Sequence, residues 1–554
     1  MPRTWKTLTA LATIAIAAHL LAASRANMPG QDGIKFLAIA RDFARDPAWD
    51  VIRSADQHPV YPALVAIAHC IVGSLFAAPP QAWLAAAQAV SVVAAVFTLI
   101  PLYLIARRLF RPTTAALAVF LWLLLPVPFT LGHETLADAT GLCFTAWALW
   151  LGAEAINAAT VRGRLGWSCA AGISASCAYW TRPEGLLVAF SLGCALAIFS
   201  RGSFKAKLAG FLPFSAVFGC AALAYLTING AVSDRLDAFR TQPWKNQSLA
   251  AASSLPRGLP EALRDPRYDF SPKDPLIEKT RLGLKSAAWS ILRLWSENLG
   301  IALAVMTLWG LVRTRTHNVP ARRLVTLHAA VLLAALTLQA AARGYLSSRH
   351  VAGLTFLSIP FAAAALRLCG LRFAAVFNMS TTSRRLGTRA ALAAMAAIGI
   401  TLHAKPIHAS RQPHFLAGQW LAANAPPGSS VFDTRGWAAY LADLRRYDPY
   451  HFAQAMTDTN TKFWVVEAEE LTSGSRRAIT LAAILADGGH QQAAFRRKQG
   501  REDGGDVFVF SWRRPAWWDR PAMPGRPPAE SIGEPKTDAG LSRANHQRQE
   551  GENR

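Results

Sequence analysis

Asp32 stands just past the first apolar segment, in the stretch Asn27-Met28-Pro29-Gly30-Gln31-Asp32-Gly33-Ile34-Lys35-Phe36-Leu37, which opens a loop running to His58-Pro59-Val60-Tyr61-Pro62. Carboxylates are costly in a chain otherwise rich in apolar segments, so one presented at a membrane face points to chemistry at the lipid–water boundary. Capping the following helix is the competing role, since Asp is a good N-cap. Glu134 and Asp138 lie at i and i+4, on one face at the start of another apolar helix. There they would also complement the helix dipole. Tyr179, Arg182 and Glu184 mark one tight turn between apolar segments, and Tyr345, Arg349 and His350 mark another. Lys35 and His58 lie on the first loop. Singly, each has an ordinary reading. Arg182 and Glu184 form a surface ion pair of little worth, Arg349 snorkels, and His58 is a loop residue. Jointly, cations matched with carboxylates on one membrane face suit an anionic ligand and acid–base chemistry.

These residues need a membrane scaffold, and the composition supplies one. Of 554 residues, 52% are hydrophobic and 17% charged, with a mean hydropathy of +0.21. That describes a polytopic membrane protein with a soluble portion. The net charge of +24 would suit nucleic acid, but its placement argues otherwise. Arg107, Arg108 and Arg111 follow one span, and Arg162 and Arg164 a later one. Arg201, Lys205 and Lys207 come next, then Arg313, Arg315, Arg322 and Arg323, then Arg367, Arg372, Arg384 and Arg385. The loops between these groups hold the acids and turns named above. This is the positive-inside pattern, so the charge orients the chain and no nucleic-acid partner is expected. The seven cysteines all lie in or beside apolar segments, without CxxC or metal spacing. They read as small buried hydrophobes, with no metal site.

Residues 8–23 read as a first span, with a cleaved signal peptide as the alternative. Further spans are expected near 82–106, 113–132, 136–156, 165–181, 184–200, 206–228, 297–312, 324–342, 350–367 and 388–403. Residues 59–78 read as an interfacial or re-entrant helix, leaving about eleven spans. The expected class is thus an all-α polytopic membrane protein with a small C-terminal α/β domain. The membrane domain covers 1–403, with outer loops 24–81 and 229–296; the second loop carries an amphipathic helix at 284–296. The α/β domain covers 404–513, with helices at 415–425 and 476–487 and strands at 430–432, 463–466 and 507–511. Residues 514–554 read as a disordered tail. The basic loops put the N-terminus in the cytoplasm and the C-terminal domain outside, in a plasma (inner) membrane.

The order of motifs resembles a known group. It runs from the outer Asp32 through "DGIKFLAIARDF", "HPVYPALVAI", "HETLAD" and "YWTRPEGL" to "SRHVAGLTFLSIPFAAA". This is similar to the C-type glycosyltransferase superfamily over about residues 1–403, nearest to bacterial protein mannosyltransferases and lipid A aminoarabinose transferases. "AGQWLAANAPPGSSV" is similar to the outer domain of many bacterial members. The resemblance implies an enzyme moving a sugar from a polyprenyl-phosphate carrier to a lipid, glycan or protein acceptor on the outer face. It implies that Asp32 is the catalytic acid of the first loop. Members often have Asp-Glu there, whereas this chain has Asp32-Gly33, so Glu134 or Asp138 would supply the second carboxylate. A carboxylate can serve as the base for the acceptor hydroxyl. Arg349, Arg182 or Lys35 would then hold the donor phosphate, with His58, Tyr345 and His350 nearby. The scheme requires no metal or other cofactor, though a divalent ion stays open. A transporter would place charges near the midplane and show repeated halves. A surface-glycan polymerase or ligase is the nearer rival.

Overall fold

Proline and glycine punctuate the membrane helices where the chain must break or turn. The structure is a computed structural model, describing residues 2–230, 283–344, 346–403, 407, 411–447, 452–472, 476–496 and 505–513. Most of the second expected loop, Tyr345 and the expected tail 514–554 lie outside the described residues. Among the described residues, six helices are long and apolar enough to cross a membrane: Lys6–Arg25, Pro79–Leu109, Asp138–Asn157, Phe204–Asn229, Val319–Ala342 and Ser348–Val376. Two bent pairs raise this to eight, and the chain is a multi-pass membrane protein. The expected span 113–132 is one of those pairs: Pro112–Leu124 and Pro126–His133 meet at 67° where Pro126 starts a new helix. The other is Leu284–Leu299 with Ile301–Arg313, bent by 106° at Gly300, whose φ of +75° suits glycine. The amphipathic helix expected at 284–296 therefore runs on to Leu299, and the apolar one starts at Ile301 rather than 297.

Residues 59–78 form a helix, Val60–Val72, and a short 3-10 turn. Thirteen residues rise about 20 Å, too little to cross a hydrocarbon core of about 30 Å. The membrane helices pack through small residues: Ala115, Ala118, Ala146, Ala171, Ala175 and Ala363 are fully buried. Close backbone approach is how helices gain contact where lipid offers no hydrophobic drive.

The C-terminal residues form a five-stranded sheet in the order β2-β1-β3-β5-β4. The strands are β1 (Ser430–Asp433), β2 (Arg445–Tyr447), β3 (Thr461–Glu467), β4 (Gly489–Phe495) and β5 (Val507–Trp512). β1 is parallel to β2 and β3, and β5 is antiparallel to β3 and β4. Sequence patterning located the three central strands and missed β2 and β4, the two edges. β2 is short and basic and β4 mostly exposed, so neither carries the apolar run that marks a buried strand. Helices Gln412–Asn424 and Arg476–Gly488 lie close to their expected places.

At the end of β3, buried Glu467 accepts from His414 Nε2 at 2.9 Å and from Arg435 Nη2 at 2.5 Å. Burial alone would raise its pKa, but these two partners outweigh it and hold the acid at about 2. A folded pKa below the unfolded value means the stabilisation is present above about 4.5 and is lost as pH falls toward 2. Thermal unfolding in detergent is therefore expected to drop steeply between pH 5 and 2, and Glu467→Gln should flatten that slope by removing the titrating group.

Candidate active site

Asp32 is the second residue of the helix Gln31–Phe43. Gly30 occupies the N-cap in extended backbone, and no side chain caps this helix. Capping is thus not the role Asp32 takes. Its carboxylate instead pairs with Nη2 of Arg349, 317 residues along the chain. Gly33 explains why no acid follows: a Cβ there would meet Thr135 Oγ1 at 2.0 Å and the Thr135 carbonyl at 2.9 Å. A glutamate at 33 has no room while this helix docks on Thr135, whose hydroxyl accepts from Gly30 N at 3.2 Å.

Arg349 lies in the 3-10 turn Ser348–Val351, ahead of the helix Ala352–Val376. His350 builds this turn. Its Nδ1 accepts from Ser347 N at 3.1 Å and lies 2.7 Å from Ser347 Oγ. A ring nitrogen that accepts a backbone N–H leaves the neutral imidazole's proton on Nε2. Asn298 Nδ2 donates to the Ser348 carbonyl at 2.9 Å, tying the turn to the helix Leu284–Leu299. Arg182 ends the helix Val161–Thr181. It pairs with Asp138, and its Nε and Nη2 fork onto Glu184 at 3.1 and 3.0 Å. Burial opposes the guanidinium charge, yet Asp138, Glu184 and, more weakly, Asp32 outweigh it and raise its pKa.

Asp138, Arg182, Glu184, Arg349 and His350 line one cavity of about 100 Å³, together with His328 and Gln339. Asp32 joins it through Arg349. Three carboxylates thus face two guanidiniums, each already paired. A ligand phosphate entering here would compete with these carboxylates for the two arginines. Leu131 and Leu142 also line a second cavity, of about 300 Å³, walled mainly by apolar side chains including Ile14, Phe120 and Phe129. A charged pocket therefore abuts an apolar one.

The other sequence candidates lie elsewhere. Lys35 pairs with Asp56 at 2.9 Å, both exposed, rather than facing Arg349. Desolvating both ends of that pair would gain little, so it stays at the surface. His58 is buried among aromatics, stacked on Tyr225 at 4.8 Å and edge-on to Tyr179 at 5.4 Å. Tyr345 is not described. Of the two acids weighed as second carboxylate, Asp138 shares the cavity and Glu134 pairs with Arg411, at 3.6 Å.

That pair belongs to a clamp that sequence reading missed. Arg411 Nη1 and Trp437 Nε1 both donate to the Pro29 carbonyl at 3.0 Å, and the guanidinium lies over the Trp437 ring. Gln88 Nε2 donates to the Ala26 carbonyl at 2.8 Å. Trp437 and Tyr440 share one buried cluster with Met28, Phe36, Leu37 and Tyr61. The C-terminal unit thereby grips the segment that carries Asp32. No local pattern marks Arg411 or Trp437, because their partners lie hundreds of residues away. Burial lowers the Arg411 pKa, and Glu134 offsets part of this. Arg411→Ala removes the cation that pairs with buried Glu134. We expect a stability loss of about 2–3 kcal/mol, read as a lower Tm in detergent, with partial recovery in Arg411→Lys.

Residues 56–227 match the sequence profile of the dolichyl-phosphate-mannose-protein mannosyltransferase family. No curated protein sequence matches the chain. Among solved structures, it is similar to the oligosaccharyltransferase AglB of Archaeoglobus fulgidus, in complex with an inhibitory peptide and a dolichol-phosphate. That match has 14% identity and a TM-score of 0.55, covering 94% of this chain and 75% of the other. It is also similar to ArnT of Cupriavidus metallidurans bound to undecaprenyl phosphate, at 13% identity and a TM-score of 0.57, covering 93% and 98%. The chain thus shares the fold of these structures along nearly its whole length, and residues 56–227 carry the mannosyltransferase profile within it.

Proposed function

We propose that the protein transfers a sugar from a polyprenyl-phosphate carrier to a lipid, glycan or protein acceptor at the outer face of the membrane. The observation that carries this reading is the charged pocket of Asp32, Asp138, Arg182 and Arg349 abutting an apolar cavity. A phosphate head joined to a long apolar chain needs both. The C-type fold adds support, and relatives bound to dolichol-phosphate and undecaprenyl phosphate have ligands of this chemistry.

In this mechanism the donor phosphate takes Arg349 from Asp32, which frees the carboxylate only when donor is bound. Asp32 then accepts the proton of the acceptor hydroxyl as its oxygen bonds to the anomeric carbon. The bond from that carbon to the phosphate oxygen breaks, and its electron pair leaves on the polyprenyl phosphate. Arg349 and Arg182 stabilise the added negative charge, with the planar fork of each matched to phosphate oxygens. Asp138 and Glu184 hold Arg182 in orientation.

The test is donor consumption by the full chain in nanodiscs. Undecaprenyl-phosphate-linked hexoses and pentoses, radiolabelled in the sugar, are supplied with total envelope lipids and glycans. Released undecaprenyl phosphate and labelled product are the expected readouts. The reading fails if no donor in the panel is consumed, or if consumption is equal in Asp32→Asn.

A further inference from the structure

The C-terminal unit holds a separate cleft of about 660 Å³. It opens where β3 begins at Thr461 and β5 ends at Trp512. The opposite ends of β1 and β3 are at Asp433 and Glu467. There Asp433 accepts from Gly436 N and Ala439 N at the start of the helix bearing Trp437, which holds Pro29. The seven residues of β3 span about 20 Å. The cleft therefore faces away from Asp32 and Arg349 and shares no residue with their cavity.

Its walls have the chemistry of a sugar site. Trp420 offers a half-buried aromatic ring, Asn424 and Gln492 offer planar amides, and Thr461 and Ser511 offer hydroxyls. Sugar rings stack their C–H faces on aromatic faces and pair their hydroxyls with amides. Gln492 Nε2 is already oriented by Ser511 Oγ at 2.9 Å. Thr461 is 3% exposed, and its hydroxyl has no hydrogen-bond partner among the described residues. A buried hydroxyl left in that state on the wall of a cleft is one that a ligand hydroxyl would satisfy.

Charge narrows the class. Lys462 and Arg513 line the cleft, both exposed, and neither forms an ion pair among the described residues. The acid present, Asp458, is turned to internal work. Its Oδ2 accepts from Ser430 Oγ and Tyr447 OH, and its Oδ1 accepts from Asn460 N, each at 2.9 Å. Two cations thus stand ready for an anion, beside groups suited to sugar hydroxyls.

We infer that this cleft binds an acidic saccharide, a glycan segment bearing hexuronate, with Lys462 and Arg513 on the carboxylate. The binding stands independently of the transferase reading. The experiment is calorimetric titration of the full chain in nanodiscs with a tetrasaccharide of alternating glucuronate and N-acetylglucosamine. Neutral chitotetraose is the control. The acidic probe is expected to bind at least tenfold more tightly than the neutral one. Lys462→Ala with Arg513→Ala should weaken it at least tenfold, and Thr461→Val severalfold with Tm kept. Donor consumption should be unchanged in all variants, so this test and that of the proposed activity fail separately. Absence of binding, equal affinity for chitotetraose, or full binding in the double variant would each overturn the assignment.

Discussion

Asp32→Asn is expected to lower sugar transfer by about 10²–10⁴-fold, the range that general-base catalysis supplies. The replacement is nearly isosteric and keeps a hydrogen-bond acceptor toward Arg349, but it cannot take a proton. The cost to folding should be small. Asp32 is 53% exposed and Arg349 32%, and ion pairs at such exposure contribute about 1 kcal/mol or less. Capping adds nothing to this, because the helix is capped at Gly30 without a side chain. The measurement is single-turnover transfer with bound donor, alongside Tm in detergent. Donor affinity should hold or rise, since Arg349 no longer has a carboxylate to surrender. Transfer at near wild-type rate would remove Asp32 from the chemistry. A Tm loss large enough to account for inactivity would make it structural.

Arg349 separates charge from geometry. Arg349→Lys keeps the positive charge and loses the planar fork, so turnover should fall about tenfold. Arg349→Ala should cost about 10²–10³-fold, the scale for removing one group that stabilises developing negative charge. In the alanine variant water takes the place of the guanidinium beside Asp32, which is 53% exposed. Stability should therefore change little while donor affinity and turnover both fall. Parallel losses of Tm and activity in both variants would identify Arg349 as a structural tie between the first helix-bearing loop and the helix Ala352–Val376. If neither variant loses activity, Arg182 carries the phosphate alone.

Local signals located some of this site. Asp32, Asp138, Arg182 and Arg349 are polar residues at the ends of apolar segments, and their cost in lipid makes them conspicuous. Lys35 and His58 carried the same signal and lie elsewhere: Lys35 found an exposed partner four residues before the next apolar run, and His58 an aromatic nest. Nothing in a single segment distinguishes these outcomes. The supporting residues were harder still. Asn298 and Thr135 each act through one hydrogen bond, to a turn or backbone group on another element. Such bonds leave no periodicity in the chain.

Apolar run length, basic loop placement and turn residues were sufficient to specify a polytopic helical protein followed by an α/β unit, because each is a local response to lipid, water or backbone geometry. Tertiary structure alone decided which ionisable groups meet. Asp32 reaches Arg349, Asp138 rather than Glu134 enters the cavity, and Glu134 turns to Arg411 beneath the C-terminal unit. It also decided that position 33 must be glycine, since Thr135 occupies the space a side chain would need. The reason is physical. Ion pairing and steric exclusion depend on distances between segments far apart in sequence, and those distances arise only when the helices pack.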